Sequence, residues 1–137
     1  MARQRFVERK MTENEIAAQI VDAAYKIHVK LGPGLLESVY LAVLAYELKK
    51  RGLTVDTERE LPVLYEDVRI ETGFRIDMIV EEKVIVELKS VEKLAPVHGK
   101  QLLTYLRLAD KRLGLLINFG EARIKDGIQR IANQLAE

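Results

Sequence analysis

The spacing of the apolar residues changes at Gly52, and this change limits the folds available to the chain. Before Gly52, apolar residues recur three and four positions apart, as on one face of a helix. From Leu53 onward they alternate with polar residues, as in strands with one buried face. A helical pattern returns at Pro96, and a mostly apolar run, Leu113 to Asn118, follows it. The sequence therefore predicts a mixed α/β or α+β sheet domain in the order α-α-β-β-β-α-β.

The two N-terminal helices carry recognisable start and stop signals. Thr12 with Glu15 three residues later forms the pattern of a capping box, and Gly32-Pro33 ends the first helix. The second helix is predicted from about Leu35 to Arg51. Gly52 is expected to follow it in a left-handed conformation.

The strand region predicts a long strand and a shorter one after it. On the long strand, Arg75 and Asp77 are expected to face away from an apolar side, whose members are Val68, Ile70, Phe74, Ile76, Met78 and Val80. The third strand is predicted from Lys83 to Lys89. The tail from Glu121 is ambiguous, because its apolar spacing suits a helix that Gly127 would interrupt.

Composition fits one folded domain. The chain has 137 residues, of which 48% are hydrophobic, and no cysteine. We expect a single domain over residues 12–137 and a basic, mobile arm over residues 1–11. The longest apolar run, Leu41 to Tyr46, is far too short to cross a membrane. The net charge of +1 is smaller than that of most proteins that hold nucleic acid by neutralising phosphates, but locally basic segments keep nucleic acid possible as a partner without requiring it. These features favour a cytoplasmic protein.

The third strand carries a candidate reactive group. Glu87 and Lys89 are two residues apart and share a face of that strand. Alone, such a pair is usually a solvated ion pair. With Asp77 on the neighbouring strand, two carboxylates on one face suit a hard divalent cation, and the lysine can hold a water or a phosphate oxygen. A two-residue turn would put the two acids on opposite faces, so we expect a three-residue loop or a bulge between the strands.

Two acids fall in the apolar sector of the second helix. Glu37 lies in its first turn, where it either favours the helix dipole and reaches water or contributes to a buried site. Glu47 lies roughly 15 Å further along, too far to share a site with Glu37. We expect Glu47 to form a structural ion pair.

The helix after Pro96 presents His98, Gln101 and Tyr105 on one side. The plainer interpretation is an ordinary amphipathic face with a histidine bonded at the helix start. Alternatively, Gln101 and Tyr105 need polar partners, which a carboxylate cluster would supply. We expect Glu37 and Gln101 to converge on the acids from two helices on one side of the sheet.

Taken together, the sequence resembles the PD-(D/E)XK nuclease superfamily, whose signature is an aspartate on one strand and Glu-x-Lys on the next. Here these are Asp77 and Glu87-Leu88-Lys89. Within the superfamily the chain is similar to the family named for a GxxExxY motif. The matching segments are Gly34-Leu35-Leu36-Glu37-Ser38-Val39-Tyr40, Glu87-Leu88-Lys89-Ser90, the helix from Gln101 to Tyr105, Ile117-Asn118-Phe119-Gly120 and Gly127-Ile128.

The resemblance implies a restriction-endonuclease-like core, a mixed sheet flanked by helices, and magnesium-dependent hydrolysis of phosphodiester bonds, with manganese as a substitute. It implies that the metal ligands are Glu37, Asp77, Glu87 and the Leu88 carbonyl. The implied catalytic residues are Asp77, Glu87, Lys89 and Gln101. Tyr40, His98 and Tyr105 are expected to contact the substrate or support the site.

Three functions remain open at this point. The first is a divalent-metal-dependent nuclease acting on DNA or RNA. The second is a nucleic-acid-binding or scaffold protein on a nuclease-like fold without turnover. The third is a homodimeric interaction module whose polar face serves only structure. A second subunit would help so small a nuclease to enclose a duplex, so a homodimer is a hypothesis under the first function as well.

Overall fold

The computed structural model describes residues 10–136, and the expected N-terminal arm lies almost wholly outside the described residues. The helices are α1 (Glu13–Leu31), α2 (Glu37–Lys50) and α3 (Pro96–Ala109). The strands are β1 (Val55–Tyr65), β2 (Val68–Val80), β3 (Val84–Lys89), β4 (Leu113–Asn118) and β5 (Ile128–Ala132), with a short 3-10 helix at Ile124–Gly127. The predicted order α-α-β-β-β-α-β is confirmed, and β5 is an addition to it.

The start of α1 follows the predicted capping box. The Thr12 hydroxyl accepts a hydrogen bond from the Glu15 N–H at 3.2 Å, and the Glu15 carboxylate accepts one from the Thr12 N–H at 2.9 Å. The two bonds satisfy amides that the first turn of a helix leaves without partners. After α2, Gly52 takes the predicted left-handed conformation, with φ of 88°. The sequence therefore marked the helix boundaries to within about two residues.

The five strands form one mixed sheet in the order β1-β2-β3-β4-β5. β3 and β4 are parallel, because α3 connects them, and the other neighbouring pairs are antiparallel. The first core lies between the sheet and the helices α1 and α2, and it includes Met78, Val86 and Leu88. The second core lies on the opposite face beneath α3, and it includes Ile79, Ile85 and Leu102.

The loop between β2 and β3 sets the register of the acidic residues. It comprises residues 81–83, and the ladder pairs Val80 with Val84 and Met78 with Val86. This is the predicted three-residue loop. Continued by one position, the same register puts Asp77 opposite Glu87.

The structure resolves one ambiguity of the apolar pattern and corrects one expectation. The ambiguous tail forms strand β5: Ile128 packs against the first core and Ile131 against the second, as residues three apart do on a strand. The long strand does not keep the single apolar face expected of it. Phe74 and Ile76 pack in the second core, whereas Met78 packs in the first, so the buried side of β2 changes at Asp77.

None of the helices within residues 10–136 combines the length and apolar character of a membrane-spanning segment.

Candidate active site

Where the backbone pairing of β2 and β3 ends, the side chains of Asp77 and Glu87 continue the hydrogen bonding between the two strands. The backbone pairing of these strands ends at Met78 and Val86. At the next position, the Glu87 carboxylate accepts a hydrogen bond from the Asp77 N–H at 3.1 Å. The Asp77 carboxylate accepts one from the Leu88 N–H at 2.8 Å. Two carboxylates are thus held side by side by the backbone of the opposite strand.

The acid pair concentrates negative charge in a partly buried place. Burial, as the largest cause, and the negative charge of Asp77 together raise the pKa of the Glu87 carboxyl to about 8. The Asp77 N–H and the positive charge of Lys89 act in the opposite direction but do not offset these effects. The pair therefore lacks full charge compensation from the protein, and a cation bound beside it would supply the balance.

Lys89 lies on the same strand face as Glu87. It is half-buried at the end of β3, where it pairs with Asn118 of β4. The chain after it is fixed by the buried Asn118 side chain, whose oxygen accepts from the N–H groups of Val91 and Gly120, both at 3.0 Å. The Asn118 amide also donates to the Val91 carbonyl at 2.9 Å. Asn118 therefore holds the exit of β3 and, with it, the position of Lys89.

A cleft of about 170 Å³ opens beside Asp77 on the α2 side of the sheet. Glu37 in the first turn of α2 lines this cleft together with Asp77, Leu88, Glu58 and Arg75. The cleft brings two of the predicted residues, Glu37 and Asp77, to one place. The Glu37 side chain is exposed, so it can reach water as well as the cleft.

Tyr40 fixes the loop that leads into Glu37. Its ring is fully buried and stacks on Phe119 with 4.4 Å between the centroids. Its hydroxyl donates to the Gly32 carbonyl at 2.5 Å and accepts from the Leu35 N–H at 3.2 Å. The Ser90 hydroxyl holds the same loop by donating to the Leu35 carbonyl at 2.6 Å. Tyr40 therefore lies in the core and fixes the loop that leads to Glu37 at the cleft.

Tyr105 approaches the acid pair from α3. Its half-buried ring stacks on Phe74 with 4.8 Å between the centroids. Burial raises the pKa of the Tyr105 hydroxyl, and the charges of Glu87 and Asp77 raise it further, whereas a hydrogen bond with Gln101 lowers it. Tyr105 thus lies within electrostatic range of both acids, and the exposed Gln101 is joined to it.

The two helices do not share a side of the sheet, contrary to the expectation for Glu37 and Gln101. α2 belongs to the first core and α3 to the second, on the opposite face. A helical wheel shows which side of a helix faces the sheet but not which face of the sheet it covers. Glu37 and Asp77 therefore line the same cleft. Gln101 instead forms a hydrogen bond with Tyr105, and Tyr105 is the residue that lies near the two acids.

His98 serves the start of its own helix. Its Nδ1 accepts a hydrogen bond from the Ala95 N–H at 3.0 Å, which caps α3. This matches the plainer of the two interpretations of the sequence. Within residues 10–136, the structure gives His98 no hydrogen bond to Asp77 or Glu87.

Two residues of the cleft, Glu58 and Arg75, were not assigned to the site from the sequence. Arg75 was expected on the same strand face as Asp77, two positions before it, but was given no role. Glu58 lies opposite Asp77 on β1, between the pairs Thr57–Met78 and Arg59–Ile76, and has φ of 54°. Nothing in the sequence around Glu58 signals a left-handed residue in the middle of a strand.

The donor set at the acid pair suits a hard cation. Magnesium binds oxygen ligands and needs only one or two carboxylates, with water and substrate oxygens completing its shell. Asp77 and Glu87 meet this requirement. Within residues 10–136, no group of three or more His, Cys, Asp and Glu side chains is arranged to hold a metal ion. Glu37 therefore lines the cleft without completing a three-carboxylate cluster.

The chain matches a model of the PD-(D/E)XK nuclease superfamily over residues 14–131. This range covers most of the sequence, and the chain therefore belongs to that superfamily. The mixed sheet flanked by helices is consistent with its fold. No curated protein and no solved structure matches the chain.

Proposed function

We propose that this protein is a divalent-metal-dependent nuclease that hydrolyses phosphodiester bonds of DNA or RNA. One observation carries the proposal: Asp77 and Glu87 are interlocked at the open end of the β2–β3 ladder, with Lys89 following on the same face. We further propose that it is a member of the GxxExxY family, on the motif from Gly34 to Tyr40.

The proposed metal ligands are Asp77, Glu87 and the Leu88 carbonyl. The Leu88 N–H is directed at Asp77, and the N–H and C=O of one strand residue point to the same neighbour, so this carbonyl also faces β2. Glu37 is proposed to act through a metal-bound water, because magnesium keeps several waters. The preferred ion is magnesium, with manganese as a substitute. When bound, such an ion polarises a water and the scissile phosphate.

The protein's own side chains have distinct proposed tasks. Lys89 is proposed to position the attacking water or to offset charge on the scissile phosphate. Gln101 and Tyr105 are proposed to act as a pair from α3, with Tyr105 in electrostatic range of both acids and Gln101 bonded to it. Tyr40 keeps Glu37 at the cleft. His98 contributes indirectly, by capping the helix that carries Gln101 and Tyr105.

One feature favours an interaction module as the second candidate function. The tip of the β1–β2 hairpin exposes four apolar side chains, Leu64, Tyr65, Val68 and Ile70. Exposed apolar clusters of this kind often mark protein contacts. A homodimer or a non-catalytic binding protein would use this tip without needing the acid pair.

The two candidates are separated by a cleavage assay on the full chain. The substrates are single-stranded DNA, duplex DNA, branched DNA and RNA, each with Mg²⁺, with Mn²⁺ and with EDTA. The nuclease proposal predicts cleavage of at least one substrate that requires the metal and stops with EDTA. Absence of cleavage on all four, together with no metal binding by calorimetry, would overturn it in favour of the interaction module.

A further inference from the structure

Arg75 is a cationic side chain that lines the cleft beside Asp77. It is exposed on β2, two residues before Asp77. The same cleft is lined by three carboxylates, those of Glu37, Glu58 and Asp77. Nevertheless, within residues 10–136, no carboxylate lies within ion-pair distance of the Arg75 guanidinium.

Other arginines of the chain form ion pairs with nearby carboxylates. Arg51 contacts Glu47 at 2.9 Å and Asp22 at 2.8 Å. Arg69, on the same strand as Arg75, contacts Glu71 at 2.6 Å. An arginine among carboxylates ordinarily pairs with them, so the guanidinium of Arg75 is available for an anion that enters the cleft.

The charge of the site favours a phosphate as that anion. Within residues 10–136, three acids line the cleft together with one cation, Arg75, so the acids exceed the cation by two charges, which is the charge of one divalent metal ion. With such an ion bound, the acids no longer repel a phosphodiester. A guanidinium presents two parallel N–H donors that match two phosphate oxygens.

We propose that Arg75 binds a backbone phosphate of the nucleic acid, next to the phosphate held at Asp77 and Glu87. Residues two apart on a strand are separated by about 7 Å, which places Arg75 beside the acid pair and not on it. Arg75 thus holds the substrate strand in register in the cleft. The proposal rests on the proposed nuclease function, whose substrate it locates.

The test compares Arg75→Ala with a matched control, Arg69→Ala, which removes a guanidinium already paired with Glu71. Binding of a fluorescent single-stranded oligonucleotide is measured by anisotropy in Mg²⁺ over a salt series, in a Lys89→Ala background that keeps the carboxylates. Loss of one phosphate contact reduces the slope of log K against log salt by about 0.7. We expect this reduction and about fivefold or greater weakening for Arg75→Ala, partial retention of affinity for Arg75→Lys, and no change for Arg69→Ala.

In the active protein, Arg75→Ala is expected to raise KM more than it lowers kcat, because the lost contact is present in the bound substrate as well as in the transition state.

An unchanged salt slope in Arg75→Ala would overturn the proposal, even with weaker binding. If Arg75→Ala fails to fold, Arg75→Gln removes the charge and is judged by the same slope. If the wild-type chain cleaves with metal but Arg75→Ala keeps the wild-type salt slope, the phosphate contact of Arg75 is rejected and the nuclease function stands. No cleavage with a reduced slope rejects the nuclease function and keeps the phosphate contact.

Discussion

Asp77 and Glu87 each accept a hydrogen bond from the backbone of the strand opposite: Asp77 from the Leu88 N–H and Glu87 from the Asp77 N–H. The carboxylates therefore close the gap where the β2–β3 ladder ends. An amide oxygen can accept the same bonds. Asp77→Asn and Glu87→Gln should consequently keep the fold while removing the ionisable carboxyl groups, which makes them suitable probes of the chemistry.

Tyr40→Phe tests whether Tyr40 holds the loop before Glu37. The substitution leaves the Leu35 N–H and the Gly32 carbonyl without their partner in a part-buried place. We expect the free energy of unfolding to fall by about 1–3 kcal/mol, measured by urea denaturation. Tyr46→Phe, at an exposed position of the same helix, is the control and should change stability little. Equal effects of the two substitutions would show that the loop does not depend on the Tyr40 hydroxyl.

Glu47 makes stability depend on acidity below neutral pH. A hydrogen bond from Arg51, with weaker ones from Lys26 and Lys50, lowers the pKa of this buried carboxyl from 4.5 to about 2. Because the folded-state pKa is the lower one, the stabilisation is complete above about pH 4.5 and is lost as the pH falls towards 2. Glu47→Gln should therefore be less stable than the wild type at pH 7, and the difference should shrink between pH 4.5 and 2. Urea denaturation at several pH values measures it, and a difference independent of pH would argue against the ion pair.

Glu58 has a left-handed backbone in the middle of β1. For a residue with a side chain this conformation costs about 1–2 kcal/mol, and glycine adopts it without that cost. We expect Glu58→Gly to leave stability unchanged or to raise it slightly. Glu60→Gly on the same strand, where φ is not positive, should lower stability by about 0.5–1 kcal/mol. Thermal unfolding of the two variants checks this, and equal losses would contradict the strain at Glu58.

Metal affinity should depend unequally on the acids at the site. In a calorimetric titration with Mn²⁺, we expect Asp77→Asn to weaken binding on the order of tenfold or more. Glu37→Gln should weaken it by a smaller factor, because Glu37 is proposed to act through a water. Glu47→Gln should bind like the wild type. An unchanged affinity in Glu37→Gln would remove Glu37 from the metal site.

Local chemistry explains which features were predictable from the sequence. The Thr12–Glu15 capping box depends on residues three apart, and the register of Asp77 and Glu87 depends on a three-residue loop. α3 begins at the predicted residue because Pro96 marks its start. Each of these features depends on neighbouring residues, whose interactions are visible in the order of the sequence.

The remaining features depend on long-range packing. Which face of the sheet α3 covers follows from the crossover between β3 and β4, so the separation of Gln101 from Glu37 could not be derived from helical wheels. The tail became β5 because the edge of β4 offers unpaired backbone groups to it. The cleft contribution of Glu58 depends on its left-handed backbone, and the sequence carries no signal for that.

The most direct test of the proposed chemistry is the cleavage rate of single-site variants on the substrate that the wild-type protein cleaves fastest, in saturating Mg²⁺ or Mn²⁺. Asp77→Asn, Glu87→Gln and Lys89→Ala should each lose on the order of 100-fold or more in rate, because each removes an interaction that strengthens in the transition state. Glu47→Gln, buried on α2 but remote from the cleft, should cleave at the wild-type rate. Wild-type rates in Asp77→Asn and Glu87→Gln would contradict the account, because the interlocked acids would then have no part in the reaction.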